Sequence, residues 1–315
     1  MVNKSNQDSN DTYLLYFFLF VPTIMLLIGY FIFPFPQPQS MRQILLIPLF
    51  LGLILIGAGF VLHKIIHAFF LKIVGWIIFA FFWSTKPAFL YFSEGGDVFN
   101  AVVCILGVYV LIYMAYHEWL SHLRNEKLSC LNWIAGGTFI AGLIYFLIDT
   151  SVFPVLKEGL ISIVADQTTG LLNLFGLEAE RAGHVIYYNE SPITIIFACT
   201  AIQSMVLFVG MIGALAKASL VRRIIALCVT VVPIYFLNLI RNAGVIYLVG
   251  NDITSFSMAH NVIAKAGSLV ALIILLFITF KALPSLYDEL LCIFDLSKRN
   301  GPVEKNIARV FLGKK

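Results

Sequence analysis

Charged side chains are scarce in this sequence. Asp, Glu, Lys and Arg together make up 12% of its 315 residues, about half the share found in a soluble domain. That scarcity excludes a water-soluble globule and a disordered chain. The cysteines are few and awkwardly placed: Cys104, Cys130, Cys199, Cys228 and Cys292 are an odd number without a CxxC pair. This pattern argues against a disulfide framework or a zinc ribbon. Net charge is also low, at +4, so nucleic acid is not an expected partner. What the chain has in quantity is apolar surface. Hydrophobic residues reach 60%, with 28 Phe and 13 Tyr, and the mean hydropathy is +0.92.

The apolar residues fall in runs. A bilayer-spanning helix needs about 20 of them, and eight runs qualify: Leu14 to Phe33, Ile44 to Leu62, Ile73 to Phe92, Val98 to Tyr116, Cys130 to Ile148, Ile193 to Leu215, Ile224 to Val249 and Val262 to Leu283. The third carries Trp83-Ser84-Thr85-Lys86-Pro87, which threatens its regularity. The first is too long for a signal-peptide core and reads as a retained anchor. Spanning segments must be helical, because lipid leaves open backbone groups unsatisfied. The expected fold class is all-α: a polytopic integral membrane helix bundle of about eight transmembrane helices. Lys and Arg orient it, with 15 in segments that an inward N-terminus makes cytoplasmic against 4 outside. Both termini are therefore expected in the cytoplasm of a multi-pass cell-membrane protein.

The organisation expected from this reading is a tail at 1–12, transmembrane helices 1–5 at 13–148, an extracytoplasmic loop at 149–192, helices 6–8 at 193–283, and a basic cytoplasmic tail at 284–315. Within the loop, apolar residues of Val155 to Phe175 recur at helical spacing and predict an amphipathic helix on the outer surface. At over 40 residues the loop is long for a connector.

Polar residues inside spans are costly and mark function. The most polar stretch is Cys199-Thr200-Ala201-Ile202-Gln203-Ser204, where a continuous helix would set Cys199 and Gln203 on one face and Thr200 and Ser204 on another. In the next span Asn238, Arg241 and Asn242 share a face at i, i+3 and i+4. His260-Asn261 opens the last span, with Ala264, Gly267 and Ala271 at helical spacing for close helix approach. Three successive spans thus bring a thiol, a permanent cation and a titratable imidazole to one side of the membrane. A thiol becomes a strong nucleophile as thiolate, an imidazole takes its proton, and a guanidinium stabilises the developing oxyanion.

These motifs resemble those of the exosortase/archaeosortase family. Phe197 to Ser204 resembles its cysteine motif, Asn238 to Asn242 its arginine motif, and His260-Asn261 with Gly267-Ser268 its histidine motif. The resemblance covers about Val98 to Leu283. It implies a membrane cysteine transpeptidase with Cys199 as nucleophile, Arg241 as oxyanion or thiolate stabiliser and His260 as general base and acid. Thr200, Gln203, Ser204, Asn238, Asn242 and Asn261 stand as supporting residues. The implied substrates are exported proteins, S-layer glycoproteins among them, ending in a Pro-Gly-Phe motif, an apolar helix and a basic tail. The implied acceptor of the new C-terminus is a membrane lipid. No cofactor and no metal is expected.

Two rivals compete. His117-Glu118-Trp119-Leu120-Ser121-His122 approaches a zinc-protease motif, but its histidines stand at i and i+5 and diverge by about 140° on a helix. A polytopic transporter or lipid-binding protein would also suit a bundle with a few buried polar groups. A transporter, however, should show repeated or broken segments at the midplane, whereas these polar groups gather near one face.

Overall fold

The computed structural model describes residues 4–65, 67–93, 96–150 and 153–312, with side chains described from 16 to 309 within the terminal helices. Residues 1–3 of the N-terminal tail and 313–315 of the basic tail lie outside the described residues. The chain is a polytopic helical membrane protein. Its elements in order are α1 (Lys4–Ile32), α2 (Gln39–Ile44), α3 (Leu46–Val61), α4 (Ala68–Ser84), α5 (Lys86–Phe92), α6 (Val98–Leu123), α7 (Ser129–Asp149), α8 (Pro154–Leu174), β1 (Glu180–Ala182), β2 (Val185–Tyr188), β3 (Ser191–Thr194), a 3-10 turn at Phe197–Cys199, α9 (Ile202–Gly213), α10 (Leu220–Gly250), a π-helical turn at Met258–Ala264, α11 (Lys265–Ala282), α12 (Pro284–Asp295), a second 3-10 turn at Leu296–Arg299, and α13 (Pro302–Leu312).

Among the described residues six segments are long and apolar enough to cross a bilayer: Gln39–Val61, Ala68–Phe92, Val98–Leu123, Ser129–Asp149, Leu220–Gly250 and Met258–Ala282. Tyr16–Ile32 and Ile202–Gly213 are shorter apolar helices. The run read as a span at Ile193 to Leu215 is not one continuous helix. It comprises part of β3, the 3-10 turn and the 12-residue α9, which at 1.5 Å per residue is about 18 Å long. The suspected irregularity in the third run is present as a break at Thr85, between α4 and α5, with Pro87 in the first turn of α5.

The chain divides into two compact units. The first comprises Met1–Phe139 and Glu289–Lys315. Small residues let its helices meet closely, as expected where lipid supplies no hydrophobic drive between them. A Cβ on Gly52 of α3 would stand 2.9 Å from the Phe79 backbone nitrogen of α4, and one on Gly75 would meet Ile56 at 2.8 Å. Cys130 and Cys292 are joined in a disulfide, with Cα atoms 5.9 Å apart. This corrects the reading of the cysteine pattern. The two are 162 residues apart in sequence, so only the folding back of α12 brings them together. The segment read as a basic tail forms α12 and α13, and Val303 of α13 packs fully buried against Tyr116 and Leu120.

The second unit spans Ile140–Asp288 and holds all the candidate catalytic residues. The helix predicted at Val155 to Phe175 is present as α8. Its buried face, Ile161, Val164, Ala165, Thr168 and Leu172, recurs at helical spacing. This face shares one core with Ile186 and Ile193 of the antiparallel sheet β1-β2-β3, with Phe197 and Cys199, and with Leu239, Ala243 and Ile246 of α10. Asn173 fastens the helix to the hairpin, accepting from the Ala179 N–H at 2.8 Å and donating to its carbonyl at 3.1 Å. At the end of α10 only glycine fits: a Cβ on Gly250 would lie 2.4 Å from the Tyr188 ring. The loop is therefore a folded cap that seats the cysteine turn against α10. Ser219 caps the start of α10 through the Arg222 N–H, and Pro233 lies inside the helix.

Candidate active site

Cys199 ends the 3-10 turn Phe197–Cys199 and is 6% exposed. Two residues later Ala201 takes a left-handed conformation, φ 60° and ψ 3°, which costs an L-residue roughly 1–2 kcal/mol. α9 starts only at Ile202. Cys199 and Gln203 therefore do not share one helical face, contrary to expectation, and neither do Thr200 and Ser204. Thr200 instead stabilises the turn. Its hydroxyl donates to the Phe197 carbonyl at 2.7 Å and accepts from the Ile202 N–H at 3.5 Å. Gln203 and Ser204 lie in the first turn of α9, with Gln203 exposed.

The face predicted on α10 is intact. Asn238 and Asn242 are both buried, and both side-chain amides donate to the Cys199 carbonyl, at 2.7 Å and 3.0 Å. Arg241, between them in sequence, is close enough to Cys199 to interact electrostatically. One terminal nitrogen of its guanidinium lies 3.2 Å from His260 Nε2. Its Nε is buried with no acceptor among the described residues.

That contact fixes the imidazole. Arginine only donates, so His260 Nε2 accepts, the ring is neutral, and the proton sits on Nδ1. Nδ1 faces the Asn261 Oδ1 at 3.3 Å. His260 lies in the π-helical turn Met258–Ala264, and such turns are frequent at functional sites. Its ring stacks on Phe256, with centroids 5.3 Å apart and planes at 12°. The close approach predicted for Ala264, Gly267 and Ala271 is made by Ala264, which is buried against Val245 and Ala259. A Cβ on Gly267 would meet nothing within 4 Å.

The fold thus brings the cysteine turn, Arg241 and His260 into one unit, with Asn238, Asn242, Thr200 and Asn261 as hydrogen-bond partners. The polar motifs alone do not point to Phe256, although its i−4 spacing from His260 is a usable signal. Cys104 lies in the other unit, buried on α6. Chemically, the site offers a thiol beside a permanent cation that already touches a neutral imidazole. This set can form a thiolate, hold an oxyanion and return a proton.

A sequence model of the transmembrane exosortases (Exosortase_EpsH) matches residues 66–280, well over half of the chain and including every residue of this site. Archaeosortase A of Haloferax volcanii is 24% identical over 249 residues, covering 67% of this chain and 79% of that protein. No solved structure matches the chain.

Proposed function

Because the chain belongs to the transmembrane exosortase family, we propose that it is a membrane-embedded cysteine transpeptidase acting on exported proteins with a C-terminal sorting signal. The observation that carries this reading is the chain of contacts through α10. Asn238 and Asn242 hold the Cys199 carbonyl, and Arg241 on the same face reaches His260 Nε2.

The reaction starts with transfer of the Cys199 proton to His260 Nε2. As that lone pair is used, the Arg241 hydrogen bond passes from the imidazole to the sulfur, which it holds as thiolate. The thiolate attacks the scissile carbonyl carbon, and the resulting oxyanion is held by the guanidinium. Collapse breaks the C–N bond, and the departing amine takes the proton from His260 Nε2. A thioester to Cys199 remains. A nucleophilic group of a membrane lipid then attacks it, passing its proton to His260; the C–S bond breaks, the new C-terminus leaves on the lipid, and the sulfur takes the proton back from His260. The substrate class is the signal of Pro-Gly-Phe, apolar helix and basic tail, S-layer glycoproteins among its bearers. The site works on the extracytoplasmic side, where exported substrates emerge.

The test is substrate processing in cells. Cys199→Ala and Cys199→Ser both accumulate full-length signal-bearing protein, while Cys104→Ala processes it at the wild-type rate. Normal processing by Cys199→Ala refutes the proposal.

A further inference from the structure

The turn that carries Cys199 is a broken helix with an orphaned carbonyl. In an unbroken helix the Cys199 carbonyl would accept from the Gln203 N–H, four residues on. The left-handed Ala201 diverts the chain, and Gln203 instead belongs to the first turn of α9. A buried carbonyl left without a donor costs about 1–3 kcal/mol. Here the replacement donors are side chains, and there are two of them. Asn238 and Asn242, 7% and 5% exposed, stand one turn apart on α10 and converge on the same oxygen.

We propose that Asn238 and Asn242 are positioning residues for the Cys199 thiol, their paired amides locking the nucleophile turn against α10 in register with Arg241. The inference rests on the transpeptidase reading above and assigns how that site keeps its geometry. One amide would satisfy the carbonyl. Two, from successive turns of one helix, also fix its direction, because the oxygen cannot swing without losing a bond. The side chain starts from the Cα of that carbonyl, so its Cα–Cβ bond is held and the thiol keeps only the staggered settings of χ1. Arg241 lies three residues from Asn238 and next to Asn242. The spacing between clamp and guanidinium is therefore set by one stretch of α10, and the guanidinium's other neighbour, His260, falls into the same frame.

A cap that merely satisfied the carbonyl would affect stability alone, whereas a positioning clamp also controls thiolate formation and turnover. The experiment uses the full chain in membrane vesicles with Cys104→Ala and Cys228→Ala. Cys199 is then the sole free thiol, because Cys130 and Cys292 are paired. Asn238→Leu and Asn242→Leu keep the side-chain volume and remove the donor. Two readouts are taken: the rate of Cys199 alkylation by iodoacetamide from pH 6 to 10, and the processing of a signal-bearing substrate. In each variant the alkylation midpoint moves to higher pH, as the thiolate loses register with Arg241 and His260. kcat falls about 100-fold, the scale of a 1 Å misplacement, and KM is unchanged. Folded variants with the wild-type alkylation midpoint overturn the clamp, whatever their kcat. Where a leucine variant fails to accumulate, the alanine variant at that position is judged by the same alkylation profile. Alkylation needs no substrate, so the two readings fail separately. Processing by Cys199→Ala removes the transpeptidase, whereas an unmoved midpoint in the asparagine variants removes only the clamp.

Discussion

Two histidines in this protein each accept a hydrogen bond from an arginine, and their surroundings differ in one respect. In the first unit His117 is fully buried, with Nδ1 3.0 Å from an Arg299 terminal nitrogen and Nε2 3.2 Å from Glu304 Oε1. Arg299 also pairs with Glu126, and Glu304 accepts from Tyr113 at 2.7 Å and Tyr116 at 3.1 Å. There the cation has a counter-charge in Glu126, and the Glu304 carboxylate is met by His117 and two tyrosine hydroxyls. Burial pushes the Glu304 carboxyl up, but the hydrogen bonds from His117 and Tyr113 outweigh it and hold the group at about 2. In the second unit His260 meets Arg241 in the same way, but its other nitrogen faces the neutral amide of Asn261. The first, closed network holds α13 in place, whereas the second, open one leaves Arg241 without a carboxylate among the described residues, as the proposed oxyanion role would require. Buried ion pairs are weak evidence for stability, and a half-buried cation without a counter-charge is better evidence for chemistry.

The largest effect should come from removing that cation. Arg241→Ala is expected to lower kcat/KM by about 1,000-fold, the upper range for loss of one oxyanion donor. Arg241→Lys should recover little, because lysine lacks the planar fork. Measured processing rates decide, and wild-type turnover in the alanine variant would erase the contrast between the two networks.

Breaking the closed network should change stability and leave chemistry intact. Glu304→Gln keeps the shape and removes the charge, and a loss of roughly 2 kcal/mol is expected, the scale of a hydrogen bond to a charged group. The melting temperature of the purified protein reads it out. Because the folded carboxyl lies below its ordinary value near 4.3, its contribution is complete above that pH and lost as pH falls through about 2. Stability governed by Glu304 is therefore flat from pH 6 to 9, and a steep dependence in that window would contradict the assignment.

The smallest change makes the open network resemble the closed one. Asn261→Asp sets a carboxylate against His260 Nδ1 and favours the imidazolium. The base form of His260 then appears only at higher pH, and the acidic limb of the kcat/KM profile moves up by about one pH unit. An unmoved limb would show that His260 is not the base.

Half of this contrast is legible in the amino-acid sequence. Hydropathy places the long helices, and i, i+3, i+4 spacing puts Asn238, Arg241 and Asn242 on one face. What the sequence hides, it hides for physical reasons. The run from Ile193 to Leu215 is largely apolar, and a left-handed alanine leaves no hydropathy mark, so the break at Ala201 reads as helix. The hairpin Glu180–Thr194 has strands of three and four residues, too short for an alternating pattern to stand out. Cys130 and Cys292 join across half of the chain, and local spacing carries no trace of such a pair. The closed network is hidden because Glu304 is distant in sequence from His117, and beside Glu118 and His122 that histidine reads as a failed metal ligand.

Pro233 gives α10 a further property. It has no N–H to offer the Val229 carbonyl, so the 31-residue helix has a soft joint between the turns around Ser219 and those around the site. Bending at this joint carries Asn238, Arg241 and Asn242 as one rigid body and leaves their mutual spacing untouched. The cysteine turn, hydrogen-bonded to two of the three, is carried with them. A bend at this joint would therefore keep the nucleophile turn and the guanidinium in register, while His260, on a separate turn, is the one member of the site that such leverage moves against them.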